Sequence, residues 1–381
     1  MQFKEIVGQA AIKQRLINSV NENRVSHAQL FLGPEGSGSL ALAVAYAQYL
    51  SCEDKQPDDS CGICSSCRKY QKLMHPDLHF SYPFFAKHKD DTALTFIEQW
   101  REAFTAYPYL NLDVWRDYLD AENKQANINI AECHQIIKKL SLKPFESTYK
   151  VLILWLPEYL DKEGNALLKI IEEPQPNTLF LLVAQNQDQI LNTILSRTQL
   201  IKIPALGYNE VKGHLIEKYN QTEDAAAQIA YLSNGNLTEA LIMLQQDTKG
   251  YHKLFVDWLR LCFGNKGLEI LPFVDQLAKM GRENQKNFLR YGVSFIRECC
   301  LLVAGAGNLV HLPAQELETA QKMTNVMNIS QAQAISTELE KAHYHVERNA
   351  NPKILFLDVS LQIIKVLKFK TIPQGTQYIP N

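Results

Sequence analysis

What the sequence lacks narrows it first. No apolar run approaches the roughly 20 residues of a membrane-spanning helix, the most hydrophobic short stretch being Val151 to Leu156, so no bilayer span is expected. The opening Met1-Gln2-Phe3-Lys4-Glu5-Ile6 has no basic segment followed by an apolar one, which argues against export. Neither charge sign dominates: 39 Lys and Arg stand against 41 Asp and Glu, a formal net charge of -2. No bulk basic field therefore draws the chain onto phosphate backbones, and any nucleic-acid role is local or indirect. Internal repeats and low-complexity tracts are missing too, which removes solenoids and linkers. With 46% hydrophobic and 21% charged residues, the 381-residue chain reads as an ordinary globular protein of two or three domains, soluble and cytoplasmic.

Cysteine is scarce and uneven. Of eight, Cys52, Cys61, Cys64 and Cys67 cluster, while Cys133, Cys262, Cys299 and Cys300 lie scattered in apolar sequence as expected buried thiols, which is not a disulfide framework. The spacing Cys52-x8-Cys61-x2-Cys64-x2-Cys67 offers four soft ligands to one ion, and such a closed set is structural rather than catalytic. Iron–sulfur ligation also uses cysteine runs, although no proline follows the last one here, and free or redox thiols are the third reading. His75 stands eight residues beyond Cys67; four thiolates already complete a tetrahedral set, so His75 reads as a core or turn residue.

Residues 1–205 alternate short apolar runs with helical patterns, the signature of a parallel sheet covered by helices. Strands are expected at His27 to Leu32, Tyr149 to Leu156, Thr178 to Ala184 and Gln199 to Ile203, with a helix from Ser37 to Leu50. Past Pro204-Ala205-Leu206-Gly207 strand signals nearly vanish, and three short helices are expected at Asn209 to Tyr219, Asp224 to Leu232 and Leu237 to Gln246. A composition shift at Asp247-Thr248-Lys249-Gly250 precedes longer amphipathic helices such as His252 to Phe263, Asn284 to Ala304 and Gln331 to Arg348. The domains are accordingly placed at 1–205, 206–247 and 248–381, with a cysteine module near 52–67. Phe80 to Tyr118 holds eleven aromatic residues among Lys and Asp, among them Tyr82, Phe84, Phe85, Trp100, Phe104, Tyr107, Tyr109 and Trp115. They form either a stacking platform for single-stranded nucleic acid or the small core of an insert, and burial statistics favour the core.

Gly33-Pro34-Glu35-Gly36-Ser37-Gly38-Ser39-Leu40 lies between a strand and a helix, where a phosphate-binding loop belongs. A working loop continues with Lys, which neutralises phosphates, then Ser or Thr, which ligates Mg²⁺. Ser39 and Leu40 occupy those positions. The strand Val151-Leu152-Ile153-Leu154 then runs into Trp155 and Leu156 where a nucleotide hydrolase carries acidic residues, and Glu158 further on reads as a solvated charge. Alone, the glycine pattern reads equally as a tight strand-to-helix turn.

The motifs fall in one order: Phe3-Lys4-Glu5-Ile6-Val7-Gly8-Gln9, His27 to Pro34, the cysteine cluster, His75-Pro76-Asp77-Leu78, Lys150-Val151-Leu152-Ile153, Gly164 to Pro174, and Thr193-Ile194-Leu195-Ser196-Arg197-Thr198. This order resembles the bacterial clamp-loader family of AAA+ proteins, strongly over the first 205 residues and by pattern beyond. The resemblance implies an α/β AAA+ domain (a RecA-like parallel sheet with helices on both faces) with an inserted zinc module, then a small helical lid and an all-α collar used for oligomerisation. It also implies that Cys52, Cys61, Cys64 and Cys67 hold structural Zn²⁺. In Gly235-Asn236-Leu237-Thr238, Thr238 stands where ATP-binding members carry a phosphate-sensing arginine. With loop lysine, strand carboxylates and that arginine all missing, the chain fits the delta-prime branch rather than the gamma/tau ATPases. Productive ATP binding at Gly33, Gly36, Gly38 and Ser39 is not expected.

Ser196-Arg197-Thr198 resembles the family's Ser-Arg-Cys motif, whose arginine reaches into a neighbour's ATP site. A guanidinium there bridges phosphate oxygens and stabilises the phosphoryl-transfer transition state. Read without that context, Arg197 caps a helix or pairs with Glu172 or Glu173. The partners implied are gamma/tau and delta subunits, with the sliding clamp and primer-template DNA reached through the assembly. The rival readings are a gamma/tau-like ATPase and a zinc-containing single-strand nucleic-acid-binding protein.

Overall fold

Strands buried on both faces must be apolar at nearly every position, and the three central strands here, at 28–32, 150–155 and 178–184, are so. The computed structural model describes residues 1–370 except 87, 89, 122, 123, 246–249, 265, 266, 308, 309 and 311. The boundary expected at Asp247 to Gly250 falls largely outside those residues, as does 371–381 of the expected third domain. Two compact units emerge: Met1–Asn220 with Ser233–Leu241, and Gln221–Leu232 with Ile242–Asn381.

The first unit runs α1 (Ala10–Asn21), β1 (Ala28–Leu32), α2 (Ser39–Ser51), α3 (Ser65–Gln71), β2 (Leu78–Ser81), α4 (Ile97–Ala106), α5 (Leu112–Tyr118), α6 (Ile130–Leu140), β3 (Lys150–Trp155), α7 (Leu168–Glu172), β4 (Thr178–Ala184), α8 (Asn192–Leu195), β5 (Gln199–Lys202) and α9 (Tyr208–Tyr219). Among the described residues the strands form one five-stranded sheet, ordered β2-β3-β4-β1-β5 and parallel throughout. Side chains alternate between its faces. Val151, Ile153, Leu179, Leu181 and Val183 pack with Leu42, Val44 and Tyr46 of α2, whereas Leu152, Leu154, Phe180 and Leu182 pack with Cys133, Ile136 and Leu140 of α6.

Two expectations change here. Four strands were expected, and β2 is a fifth; its four residues include a polar His79, too short and mixed a pattern to register until it pairs with β3. The aromatic insert, placed at 80–118, consequently begins inside that strand, with Phe80 and Ser81 in the sheet. Among the described residues most of the insert's rings form a core, with Tyr107, Tyr109 and Tyr118 half-buried at its edge. Trp100 is fully buried, stacked on Tyr82 with centroids 4.0 Å apart, and meets Trp115 edge-on at 5.3 Å. Trp115 Nε1 donates to the Pro83 carbonyl at 2.8 Å. Phe84, Phe85, Phe96 and Phe104 are buried as well, so these rings offer no surface to bases. Trp100→Ala is expected to cost ~3–5 kcal/mol in denaturant unfolding; a loss below ~1 kcal/mol would show that the cluster is dispensable.

Buried carboxylates tie the insert and loops to the sheet. Glu132, 1% exposed, accepts from Ala93 N at 2.9 Å. Burial pushes its carboxyl above the ordinary glutamate range, the Ala93 N–H opposing. A proton bound more tightly in the folded state adds stability below the ordinary range, and that stability is lost as pH rises through the folded value. Urea unfolding between about pH 4 and 7 should therefore show a flatter profile for Glu132→Gln than for the unmodified chain, and identical slopes would disprove it. Asp77 behaves oppositely. Burial raises its carboxyl, but N–H donation from Glu146, Phe145 and Ser147 outweighs this and holds it below the usual range.

The second unit is helical: α10 (Glu223–Leu232), then, after α11 (Leu237–Gln245), whose first turns belong to the first unit, α12 (Tyr251–Gly264), α13 (Gly267–Ala278), α14 (Arg282–Val303), α15 (Ala314–Met323), α16 (Ile329–Glu347) and α17 (Pro352–Lys368). Phe255, Trp258, Phe288 and Phe356 interlock at its centre, and Trp258 Nε1 donates to Ser360 Oγ at 2.9 Å. Among the described residues no helix is long and apolar enough to cross a membrane.

Candidate functional site

The glycine loop leaves β1 at Gly33 and enters α2 at Ser39, with Gly36 and Gly38 in left-handed conformations (φ 72° and 86°) that glycine adopts readily. Gly33 N donates to the Ala184 carbonyl at 3.1 Å, fixing the loop across the end of β4. Ser37 and Ser39 share a hydrogen bond at 2.9 Å, so the two hydroxyls that border the loop satisfy each other. Over the loop the cavity is only about 30 Å³, lined by Pro108, Tyr109, Leu110, Trp155 and Gln185 as well as the loop itself. A small-molecule site typically offers ~300–1,000 Å³.

Trp155 ends β3 and Leu156 follows it, and both are buried. Glu158, expected to be a solvated charge, is instead half-buried: its Oε1 accepts from Gln185 N at 2.6 Å and Asn186 N at 2.8 Å. Burial pushes this carboxyl above the ordinary range despite those donors. The turn after β4 needs an acceptor for its two N–H groups, and Glu158 supplies it. Thr238 is buried, and its hydroxyl donates to the Tyr109 carbonyl.

Ser196-Arg197-Thr198 follows α8. Arg197 Nε and the ion-paired Nη2 each lie 3.0 Å from Glu172 Oε2, while Nη1 donates to the Thr193 carbonyl at 2.9 Å and to Ser196 Oγ at 3.3 Å. The pairing with Glu172 weighed from the sequence is thus present, with the Arg197 side chain 31% exposed and that of Glu172 57% exposed. Such an exposed pair is worth ~0–1 kcal/mol.

The four clustered cysteines converge, their sulfurs all within 4.8 Å of one another. Cys52 and Cys61 sulfurs are 3.6 Å apart and those of Cys61 and Cys67 3.9 Å. Tetrahedral zinc with Zn–S of ~2.3 Å places its sulfurs ~3.8 Å apart, so this donor set fits that ion. Backbone N–H groups of Cys61, Cys64 and Cys67 donate to Cys52, Cys61 and Cys64 sulfur respectively at 3.3, 3.3 and 3.4 Å. His75 stays outside the set. It is buried against Tyr70, its Nδ1 accepts from Asp77 N at 3.1 Å, and its Nε2 lies 3.2 Å from Glu146 Oε1. Of the four scattered cysteines, Cys133, Cys262 and Cys299 are buried as expected, but Cys300 is half-buried.

A family model described as "DNA polymerase III, delta subunit" matches residues 8–207, more than half of the 381 residues. The chain belongs to this family. It is similar to DNA polymerase III subunit tau of Bacillus subtilis (strain 168), 23% identical over 378 residues that cover 93% of this chain and 60% of that protein. It is also similar to DNA polymerase III subunit delta' of the same organism, 25% identical over 239 residues, 63% of this chain and 60% of that one. The chain thus spans about 60% of the length of these relatives. A solved structure, Bacillus subtilis DNA clamp loader delta protein, aligns over 93% of this chain and 99% of its own at 14% identity and a TM-score of 0.33.

In this member of the DNA polymerase III delta subunit family, the residues that shape the glycine-loop site were only partly visible in sequence. Glu35, the pair Tyr109 and Asn111, and Asn236 meet there from three separated segments, and no local spacing announces such a meeting. Asp59 was equally silent: it accepts from Phe3 N and Lys4 N, both at 3.0 Å, and so stitches the N-terminal segment to the loop before Cys61.

Proposed function

We propose that the chain is a non-hydrolysing AAA+ subunit of a bacterial clamp loader, of the delta-prime type, acting in DNA replication. The observation that carries this is the glycine loop: Ser39 and Leu40 replace the phosphate-binding cation and the Mg²⁺ ligand, and the space above it is about 30 Å³. In this reading the domains at 1–205, 206–247 and 248–381 are the nucleotide-fold domain, lid and collar, and Cys52, Cys61, Cys64 and Cys67 hold a structural zinc ion. Arg197, oriented by Ser196, is presented in trans to a neighbouring ATPase subunit during ATP-driven loading of the sliding clamp. Partners are gamma/tau and delta subunits, with clamp and primer-template DNA engaged through the cytoplasmic assembly. Exposed Leu268 and Leu271 of α13 and Ile354 and Leu361 of α17 suit a helical collar that packs against other subunits.

A second reading, a tau/gamma-like ATPase, draws on the likeness to subunit tau, which extends over 93% of the chain against 63% for delta'. The two separate on one experiment. The purified chain with Mg²⁺ and ATP should show no turnover, yet co-purify with gamma/tau and delta subunits and raise the ATPase rate of the reassembled complex. Robust turnover by the chain alone favours the second reading and sinks the first.

A further inference from the structure

The cavity over the glycine loop is small because the chain fills it. Tyr109 stands between α4 and α5, half-buried, with its ring against Gly38: a Cβ built on Gly38 would lie 2.9 Å from Tyr109 Cε1. Its hydroxyl accepts from Val7 N at 2.8 Å, and its carbonyl accepts from Thr238 Oγ1. Beside it, Glu35 Oε1 accepts from Asn111 Nδ2 at 3.0 Å and Asn236 Nδ2 at 3.2 Å. Leu237 N donates to the Gly36 carbonyl at 3.2 Å, and a Cβ on Gly36 would lie 1.9 Å from Asn236 Oδ1. The loop, the segment Ser233–Leu241, the insert and the N-terminal segment therefore close on one point, all within the first compact unit.

We infer that Pro108–Asn111 is a built-in occupant of the glycine-loop site, which holds Ser233–Leu241 against the loop without any nucleotide. The inference rests on the non-hydrolysing reading above and adds to it. A loop whose cation and metal ligand are gone gains far less from phosphate than an intact one. An aromatic ring and backbone groups of the same chain supply the contacts instead, at no cost in translational freedom. The segment then stays closed whether or not ATP is present, the behaviour of a fixed part rather than a switching one.

Hydrogen exchange by mass spectrometry on the full chain tests this. Tyr109→Ala should speed exchange in 33–38 and 236–241 by about tenfold or more, with α12 to α17 unmoved. Tyr109→Phe, which keeps the ring, should leave both segments protected and speed only the amide of Val7. Equal protection in Tyr109→Ala and the unmodified chain overturns the inference. Should Tyr109→Ala fail to melt cooperatively, Glu35→Ala carries the test, because it severs the links to Asn111 and Asn236 without removing a ring. Faster exchange in the same two segments supports the occupant, and unchanged exchange overturns it. Millimolar Mg²⁺-ATP added to the unmodified chain keeps the two readings apart. No response together with loosening in Tyr109→Ala upholds the occupant; no response without loosening overturns the occupant alone; added protection at 33–38 shows nucleotide entering the loop and overturns the occupant, while ATP turnover by the chain, measured alongside, decides the non-hydrolysing reading.

Discussion

On the proposed function, Arg197→Ala is expected to lower ATP turnover at the adjoining site of a reassembled clamp loader by about 10³-fold or more, the worth of an arginine supplied in trans. The isolated variant should melt close to the unmodified chain. Arg197 gives up only an exposed pair with Glu172 and bonds to Thr193 and Ser196, and such surface pairs contribute ~0–1 kcal/mol. Arg197→Lys should recover little of the rate, since an ammonium keeps the charge but loses the planar fork that spans two phosphate oxygens. The geometry makes the role accessible: the guanidinium is held by Glu172 in the free chain, so engaging a phosphate trades one anion for another and breaks no buried network. Steady-state ATPase and clamp-loading assays, with unfolding curves as control, decide the matter. Unchanged turnover in the complex removes Arg197 from the chemistry.

Stripping metal, or Cys64→Ser, is expected to lower stability as much as opening the aromatic core at Trp100. Elemental analysis of protein purified without chelator should find close to one zinc per chain. Structural zinc contributes ~10–16 kcal/mol in isolated zinc-finger peptides. The loss here should be smaller, because Cys52 and Cys67 are also packed against folded sequence, with 3% and 0% exposure. A drop of ~3–5 kcal/mol is expected, the size seen when a buried cross-link or charge partner is removed. It should reach the N-terminus. Gln2 Nε2 donates to the Ser60 carbonyl at 2.6 Å and Asp59 holds Phe3 N and Lys4 N, so exchange of residues 1–6 should quicken with the loss of metal. Zinc-free protein with an unaltered melting curve would refute the structural role.

Much of this molecule was legible before folding. The strands at 28–32, 150–155 and 178–184 announced themselves because a parallel sheet covered on both faces demands nearly continuous apolar runs, and the edge strand at 199–202, with Gln199, Leu200 and Lys202 exposed, showed as a shorter, mixed run. The cysteine spacing and the missing lysine at Ser39 were equally plain, since ligand sets and phosphate loops are local in sequence. β2 escaped because four residues with one histidine carry too little pattern, and Glu158 was misjudged because its partners, the amides of Gln185 and Asn186, lie more than twenty residues away.

The amino-acid sequence by itself determined which charges the glycine loop had lost, which four thiols could share an ion, and which arginine remained. Only the tertiary structure decided what stands in place of the lost groups. Tyr109, Asn111, Asn236 and Glu35 come from segments up to 201 residues apart and converge through single hydrogen bonds and one ring contact. Such contacts depend on where the packed helices and sheet deliver each side chain, and one-dimensional spacing holds no trace of them.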